Sequence, residues 1–476
     1  MGTFPTYALL EIFSFYVDQA RTNEWQALVH VCQRWRYVVL SSPRRLNLRL
    51  LCTTRSPVRR MLDIWPPLPL VISNPGNPTN PEIIMEHESD ASDILSALGH
   101  KGRIEKIILF NVPRRTWHEL VAAMQEPLPA LKNLSLWSDI PWSRFSWKME
   151  HLSASFLGGS APLLQSLHLD CVPYQALPIL LSSARDLVDL HVSNMPDEWY
   201  ISPNDMVACL SPLTRLTSLV LGFESQNHIC PSQVTQRSSQ QKRTVLHSLT
   251  RLNFRGLTGY LEDLVARIDA PRLNKVMITF VEPIVSADIS QLSQFIGQAD
   301  SFQLLNQADI VIYDTLDAVV KLRLNVCGAS RIWCELIIPY SDEFHRPPST
   351  LAQVCVNSTG SFIPSSLPIS TLEHLTIRGC RDWWPTWGNL WLEFLTAFTA
   401  VKNLYLSEDL SPHLLPVLND AIGESSTGVL PALQNIFLEG YYPPPKRLQE
   451  AIEKFTTVRR LAGSPIAVGR WKRWST

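Results

Sequence analysis

Residues 129–136 read PALKNLSL and residues 162–169 read PLLQSLHL, and the fold follows from this pattern. In the L-x-x-L-x-L portion the last two apolar residues alternate with polar ones, the period of a strand with one buried face. The opening Pro suits a tight turn into that strand, because its ring pre-sets φ. Copies begin at Ile104, Leu131, Leu164, Leu187, Leu216, Leu249, Leu273, Leu372, Val401 and Leu433. Helix-like stretches lie between them, among them 173–183, 203–210, 260–268, 391–398 and 413–422. Each unit is therefore strand, turn, helix, turn, and neither element buries its apolar face except against the next unit.

Most copies start 23 to 33 residues apart, which with this pattern resembles leucine-rich repeats. The resemblance implies an α/β solenoid with a curved parallel sheet, over residues 101–476. One gap of 99 residues leaves room for three or four degenerate units. Within it, 308–313, 318–324 and 332–338 are short β-branched runs with little helix signal, which predicts hairpin-like units there. The array is irregular in another way. Two residues after each strand, where the family places Asn or Cys, only Cys380 complies; Val112, Asp139, Val172 and Met195 are among the substitutes. Residues 225–247 are polar and Ser/Gln-rich and read as an exposed loop.

At the other end, residues 4–36 read FPTYALLEIFSFYVDQARTNEWQALVHVCQRWR. Apolar residues recur three and four apart on either side of a polar break, so short helices are expected whose apolar surface needs cover. This stretch resembles the F-box, whose pattern runs Leu-Pro-x-x-x-Leu-x-x-Ile-Phe and later Val-Cys-x-x-Trp-Arg. Pro5, Leu9 or Leu10, Ile12, Phe13, Val31, Cys32, Trp35 and Arg36 match, with Phe4 in place of the first Leu. The continuation over 42–72 looks like the segment following the F-box in fungal F-box proteins. The expected organisation is a helical F-box over 1–50, a linker and solenoid cap over 51–100, then the repeats. Six prolines between 66 and 81 suggest a hinge after Trp65.

With 45% apolar and 18% charged residues the chain is a globular one. Its formal net charge of −1 gives no bulk attraction to nucleic acid or anionic membrane. Nine cysteines, none in a C-x-x-C pair, indicate reduced thiols and no zinc motif. No apolar run is long enough to span a membrane, and Glu11 within the first apolar stretch argues against a signal peptide. A cytoplasmic or nuclear location is expected. Met1 to Thr6 fits the myristoylation pattern formally, but Phe4 and Pro5 are accounted for by the F-box match.

No catalytic motif or cofactor site is present in the sequence, and no enzyme activity is expected. His168, Asp170 and Cys171 stand close together, and a repeat strand with polar outer residues explains them. Arginines crowd residues 34–60, and Arg470, Lys472 and Arg473 sit beside Trp471 and Trp474, which reads as a solvated face in preference to a nucleic-acid surface. Trp391, Leu395 and Phe398 follow helical spacing as a buried face, while Trp383 and Trp384 fall in the loop after a strand.

The F-box resemblance implies a substrate-recognition subunit of a Skp–cullin–F-box ubiquitin ligase, directing ubiquitin-dependent degradation. Phe4, Pro5, Leu9, Leu10, Ile12, Phe13, Val31, Cys32 and Trp35 would then meet or support a Skp-family adaptor, and through it a cullin. The repeats would bind an unidentified protein target. In each strand the residue between the last two apolar positions faces outward: Ser135, His168, His191, Val220, Asn253, Met277, Thr376, Tyr405 and Phe437. Tyr405 and Phe437, with Trp383 and Trp384, mark the candidate target-binding surface. The alternative is an interaction scaffold that keeps F-box helices without ligase assembly.

Overall fold

A computed structural model describes residues 4–19, 24–53, 58–74, 91–138, 152–172, 174–195, 200–223, 243–281, 289–313, 319–326, 329–339, 368–379, 388–424, 429–440, 446–461 and 463–471. The fold is mixed α/β, with sheets that are mostly parallel. Two compact units are present: residues 1–200 with 212–216, and residues 201–211 with 217–476.

The first unit opens with helices α1 (Thr6–Gln19), α2 (Gln26–Val29) and α3 (Gln33–Ser41). It continues as β1 (Leu50–Cys52), α4 (Val58–Ile64), β2 (Leu70–Ser73), α5 (Ala91–Leu98), β3 (Ile104–Phe110), α6 (Arg114–Ala123), β4 (Asn133–Trp137), β5 (Ser166–Asp170), α7 (Leu177–Ser183) and β6 (Asp189–Met195). Strands β1 to β6 pair in chain order, all parallel. Parallel neighbours need a crossover, and helices supply it here at every step except β4 to β5, whose connection lies partly outside the described residues. The motif leucines form the core: Leu134, Leu136, Leu167, Leu169 and Leu190 are fully or almost fully buried. Backbone bonds just before the strands fix the register, since Lys132 N donates to Glu105 O and Val188 N to Gln165 O.

Two rungs, β1 and β2, thus precede the first recognisable motif copy. They lie within the segment expected as linker and cap. The expected hinge after Trp65 is not supported by the packing. Trp65 stands edge-on to Trp25 with centroids 5.1 Å apart, Leu50 N donates to Pro69 O, and Arg103 Nε donates to Leu68 O. Strands of only three and four residues without the motif explain why the sequence concealed them. Pro75, Pro78 and Pro81 lie outside the described residues.

The second unit contains α8 (Pro203–Leu210), β7 (Ser218–Phe223), β8 (Thr244–Val245), β9 (Arg251–Gly256), α9 (Thr258–Val265), β10 (Ile268–Asp269), β11 (Lys275–Phe280) and α10 (Ser290–Gly297). Then follow β12 (Gln307–Tyr313), β13 (Val319–Val326), β14 (Ala329–Pro339), β15 (His374–Arg378), α11 (Gly388–Leu395), β16 (Asn403–Leu406), α12 (Ser411–Glu424), β17 (Asn435–Leu438), α13 (Lys446–Leu461) and β18 (Ala467–Arg470). β7, β9 and β11 are parallel neighbours, as are β15, β16, β17 and β18. The stretch expected as loop over 225–247 ends in a strand, with Thr244 and Val245 pairing to Ile268 and Asp269; residues 224–242 lie outside the described residues.

The long gap has room for three or four degenerate units, and its β-branched runs predict hairpin-like ones. What occupies its described part is α10 and one antiparallel meander. Its path runs backwards: β11 pairs with β14, β14 with β13, β13 with β12, and β12 with β15. Because the meander has three strands, β14 and β12 both run parallel to their outer neighbours, so the polarity of the array is kept. Ala308, Ile310, Leu322, Leu324, Cys334 and Leu336 fill the core beneath it.

Candidate protein-interaction surfaces

The N-terminal helices bury one set of apolar residues and leave another set bare. Leu9, Leu10 and Phe13 on α1 are buried, and Phe13 meets the half-buried Trp35 edge to face at 4.8 Å. Trp25 is buried too, its Nε1 donating to Arg49 O at 2.8 Å. Phe4, Pro5, Val31 and Cys32 are exposed, as are Ile12, Phe15 and Tyr16 of α1 and Tyr37 of α3. Ile12 is 52% and Val31 59% accessible, high for apolar side chains beside a formed core. Of the nine residues assigned to adaptor contact, Leu9, Leu10 and Phe13 therefore act as the internal support. Cys32 caps α3, its Sγ accepting from Trp35 N. Gln33, Arg36, Tyr37, Leu40 and Ser41 line a shallow groove along α3.

Five arginines of the 34–60 stretch are committed to this region. Arg36 Nε donates to Val29 O, Arg34 to Phe4 O, Arg59 Nε to Ser96 Oγ, Arg45 pairs with Glu11, and Arg49 with Glu105. Four of these tether helical segments to one another, and Arg49 tethers the helices to β3.

On the strand face of the first unit, turned away from the core, Ser135, His168 and His191 stand in register across β4, β5 and β6. The two imidazoles lie 5.3 Å apart, and the Trp137 ring is 6.3 Å from one and 6.2 Å from the other. His191 Nε2 is 2.8 Å from Ser193 Oγ, and Asn194 Nδ2 donates to Asp170 Oδ1 at 2.6 Å. Burial holds both histidines below the ordinary imidazole range, and at His191 the charge of His168 adds to the effect. Among the described residues no cluster of three or more His, Cys, Asp or Glu could hold a metal ion. Nor is any described helix long and apolar enough to cross a membrane.

Asn and Cys do serve this unit's turns, one position earlier than expected. Asn111, Cys171 and Asn194 adopt positive φ at the strand ends, and Asn111 N and Cys171 N donate to the neighbouring rung's Trp137 O and Ser193 O. Asn tolerates this backbone conformation better than most residues. Buried Asn74 donates from its amide to Phe110 O and accepts from Phe110 N.

In the second unit the outward row runs Val220, Asn253, Met277, then Glu335, Arg323 and Asp309 of the meander, then Thr376, Tyr405 and Phe437. Tyr405 and Phe437 stack at 4.7 Å, with His374 on one side and Trp471 on the other. Trp471 Nε1 donates to Leu406 O at 3.2 Å, so this tail tryptophan belongs to the last rungs. Trp391, Phe394, Leu395 and Phe398 are core, while Trp383 and Trp384 lie outside the described residues. The charged members of the row are paired: Lys321 Nζ is 2.9 Å from Glu335, and Arg378 Nε donates to Asp309 Oδ1 at 3.1 Å. The sequence reading missed them, because without a motif the meander strands showed no outward position.

No family model matches this chain, and no curated protein matches it. Among solved structures, the leucine-rich repeat-containing protein LegL7 from Legionella pneumophila aligns over 86% of this chain and 98% of its own, at 13% identity and a TM-score of 0.28. So loose a superposition carries no argument, and the assignment of strand–helix repeats rests on the register and burial given above.

Proposed function

We propose that this chain is the target-recognition subunit of a Skp–cullin–F-box ubiquitin ligase, acting in the cytoplasm or nucleus. The N-terminal helices bind the Skp-family adaptor, and the outward strand faces bind the protein to be modified. The reading is carried by one observation: on residues matching the F-box pattern, buried Leu9, Leu10 and Phe13 support a helical region from which Ile12 of α1 and Val31 of the α2–α3 turn project into solvent. Such exposed apolar side chains mark surfaces that a partner covers. Chemistry then resides in other subunits, and this chain contributes by raising the local concentration of target. Parallel rungs suit that task, since outward side chains of successive strands lie about 5 Å apart and their contacts sum along a partner.

The test is co-purification of the full chain with a Skp-family adaptor, alongside the variant Ile12→Asp with Val31→Asp. Both sites are exposed, so the melting temperature stays at the parent value while adaptor capture is lost. A parent chain that captures no adaptor overturns the ligase reading. The scaffold reading, in which the strand faces alone function, then takes its place.

A further inference from the structure

Arg251 and Arg255 on β9 and Lys275 on β11 share the outward strand face of the second unit. Arg251 stands in register with Lys275, and Lys275 in turn with Trp333 of β14. Both arginines are exposed and Lys275 is half-buried. Among the described residues, none of these three cations makes an ion pair or side-chain hydrogen bond. That sets them apart from their neighbours across the meander, where Lys321 and Arg378 neutralise Glu335 and Asp309. Arg323, whose guanidinium lies 5.5 Å over the Trp333 ring, is only 3.9 Å from Glu335. The face therefore carries an excess of positive charge on β9 and β11, bordered by a half-buried tryptophan, in a chain whose net charge is −1.

We propose that β9 and β11, with Trp333, form a docking surface for an acidic, extended segment of a target protein. This rests on the reading of the strand face as the target-binding surface. Arg251 and Arg255 are four residues apart on one strand, about 13 Å, and Lys275 sits one strand spacing away, about 5 Å. Three carboxylates within about five residues of extended chain match that footprint. An aliphatic or aromatic side chain next to them covers Trp333. Nucleic acid fits less well. Its phosphates recur along the whole strand and need cations on every rung, but beyond β9 and β11 Lys321 and Arg378 are already taken by Glu335 and Asp309, whereas a peptide confines its charge to β9 and β11. Complementary charge of this kind governs choice of partner and the rate of encounter.

The experiment is selection of a phage-displayed library of random twelve-residue peptides on the full chain, followed by fluorescence anisotropy of the enriched peptides. Parent protein and a triple variant, R251E with R255E and K275E, are compared. The expected result is enrichment of peptides with clustered Asp and Glu, and affinity lower by about tenfold or more in the triple variant. Peptides with Lys in place of the acids should gain affinity for the same variant. If the triple variant melts early, Arg251→Gln and Lys275→Gln make the comparison without like-charge repulsion. No enrichment, enrichment of neutral or basic peptides, or equal affinity for parent and variant overturns the proposal. So does tighter binding of a single-stranded DNA twelve-mer. Adaptor capture by the parent and the triple variant is measured in parallel. If the acidic peptides bind and no adaptor is captured, the docking surface stands and the ligase reading falls.

Discussion

Phe437 lies directly over Gly469: a Cβ at residue 469 would come within 2.9 Å of two atoms of the ring. The same ring stacks on Tyr405 with planes 12° apart, so the glycine is what lets the last strand run beneath the aromatic pair. Replacing Gly469 with Ala should force the Phe437 ring off Tyr405 and cost about 1–2 kcal/mol, as overfilling a packed contact does. Near-UV circular dichroism and thermal melting read the two effects. Unchanged spectra and melting would show that the stack does not depend on this position.

Glu105 is held between Arg49 Nε at 2.6 Å and Lys132 Nζ at 2.7 Å. Burial alone would raise its pKa, yet Lys132 and Arg49 together bring it below the ordinary carboxylate value of 4.5. Glu105→Gln should cost about 1–3 kcal/mol, less than for a wholly buried pair because Lys132 stays partly in water. A depressed carboxylate lends stability above its unfolded value and loses it as pH falls from about 4.5 through the folded one. The gap between parent and variant in urea unfolding should accordingly be full at pH 7 and close on acidification. Glu373, paired to Lys402 at the equivalent repeat position but 43% exposed where Glu105 is 10%, should show less change on the same substitution.

His168 and His191 give dependence in the same direction through a different cause. In the unfolded chain both rings take up protons as pH falls through about 6.5, whereas burial keeps them neutral to lower pH in the fold. Asp189 and Asp170 oppose this and Lys106 supports it. The unfolded state binds more protons over that window, so stability declines as pH drops below about 6.5. Replacing both residues with Asn should flatten the urea midpoint between pH 7 and pH 5.5. A parent and variant with parallel profiles would show that the two rings titrate alike in both states.

Thiol chemistry offers a footprint for the adaptor. Cys32 is exposed, while Cys52, Cys171, Cys209 and Cys334 are buried. Burial pushes the Cys52 and Cys209 thiols up to about 11 and Cys334 up to about 12. Among these five, iodoacetamide should therefore modify Cys32 first, since the thiolate is the reactive form. Mass spectrometry with and without a Skp-family adaptor should show Cys32 protected in the complex. Equal labelling in both would place the adaptor elsewhere.

Strands of the repeats were legible in the sequence because each copy alternates, and Leu134, Leu167 and Leu190 are buried as that alternation requires. The outward row was legible for the same reason: Thr376, Tyr405 and Phe437 lie in register. The meander strands were legible as β-branched runs at 308–313, 318–324 and 332–338, but their outward positions, and the rungs β1 and β2, were not. β1 and β2 are too short to display a period, and the meander strands are antiparallel, so their outward residues Glu335, Arg323 and Asp309 match no repeat template. Burial of Leu9 and Leu10 was equally hidden, because an apolar helix face looks the same whether its cover is this chain or another.

The reversed path of the meander bears on synthesis. Elsewhere in the second unit a rung such as β9 can settle on β7 soon after it leaves the ribosome, since its neighbour already exists. Beyond β11 this vectorial order fails. β12 and β13 are made first, but the edge of β11 is satisfied only by β14, so it stays open from Phe280 until Pro339 has been added. At ordinary elongation rates that interval is on the order of several seconds. During it the nascent chain carries an unpaired edge together with two apolar strands, and this is the stage at which a co-translational chaperone has most to protect.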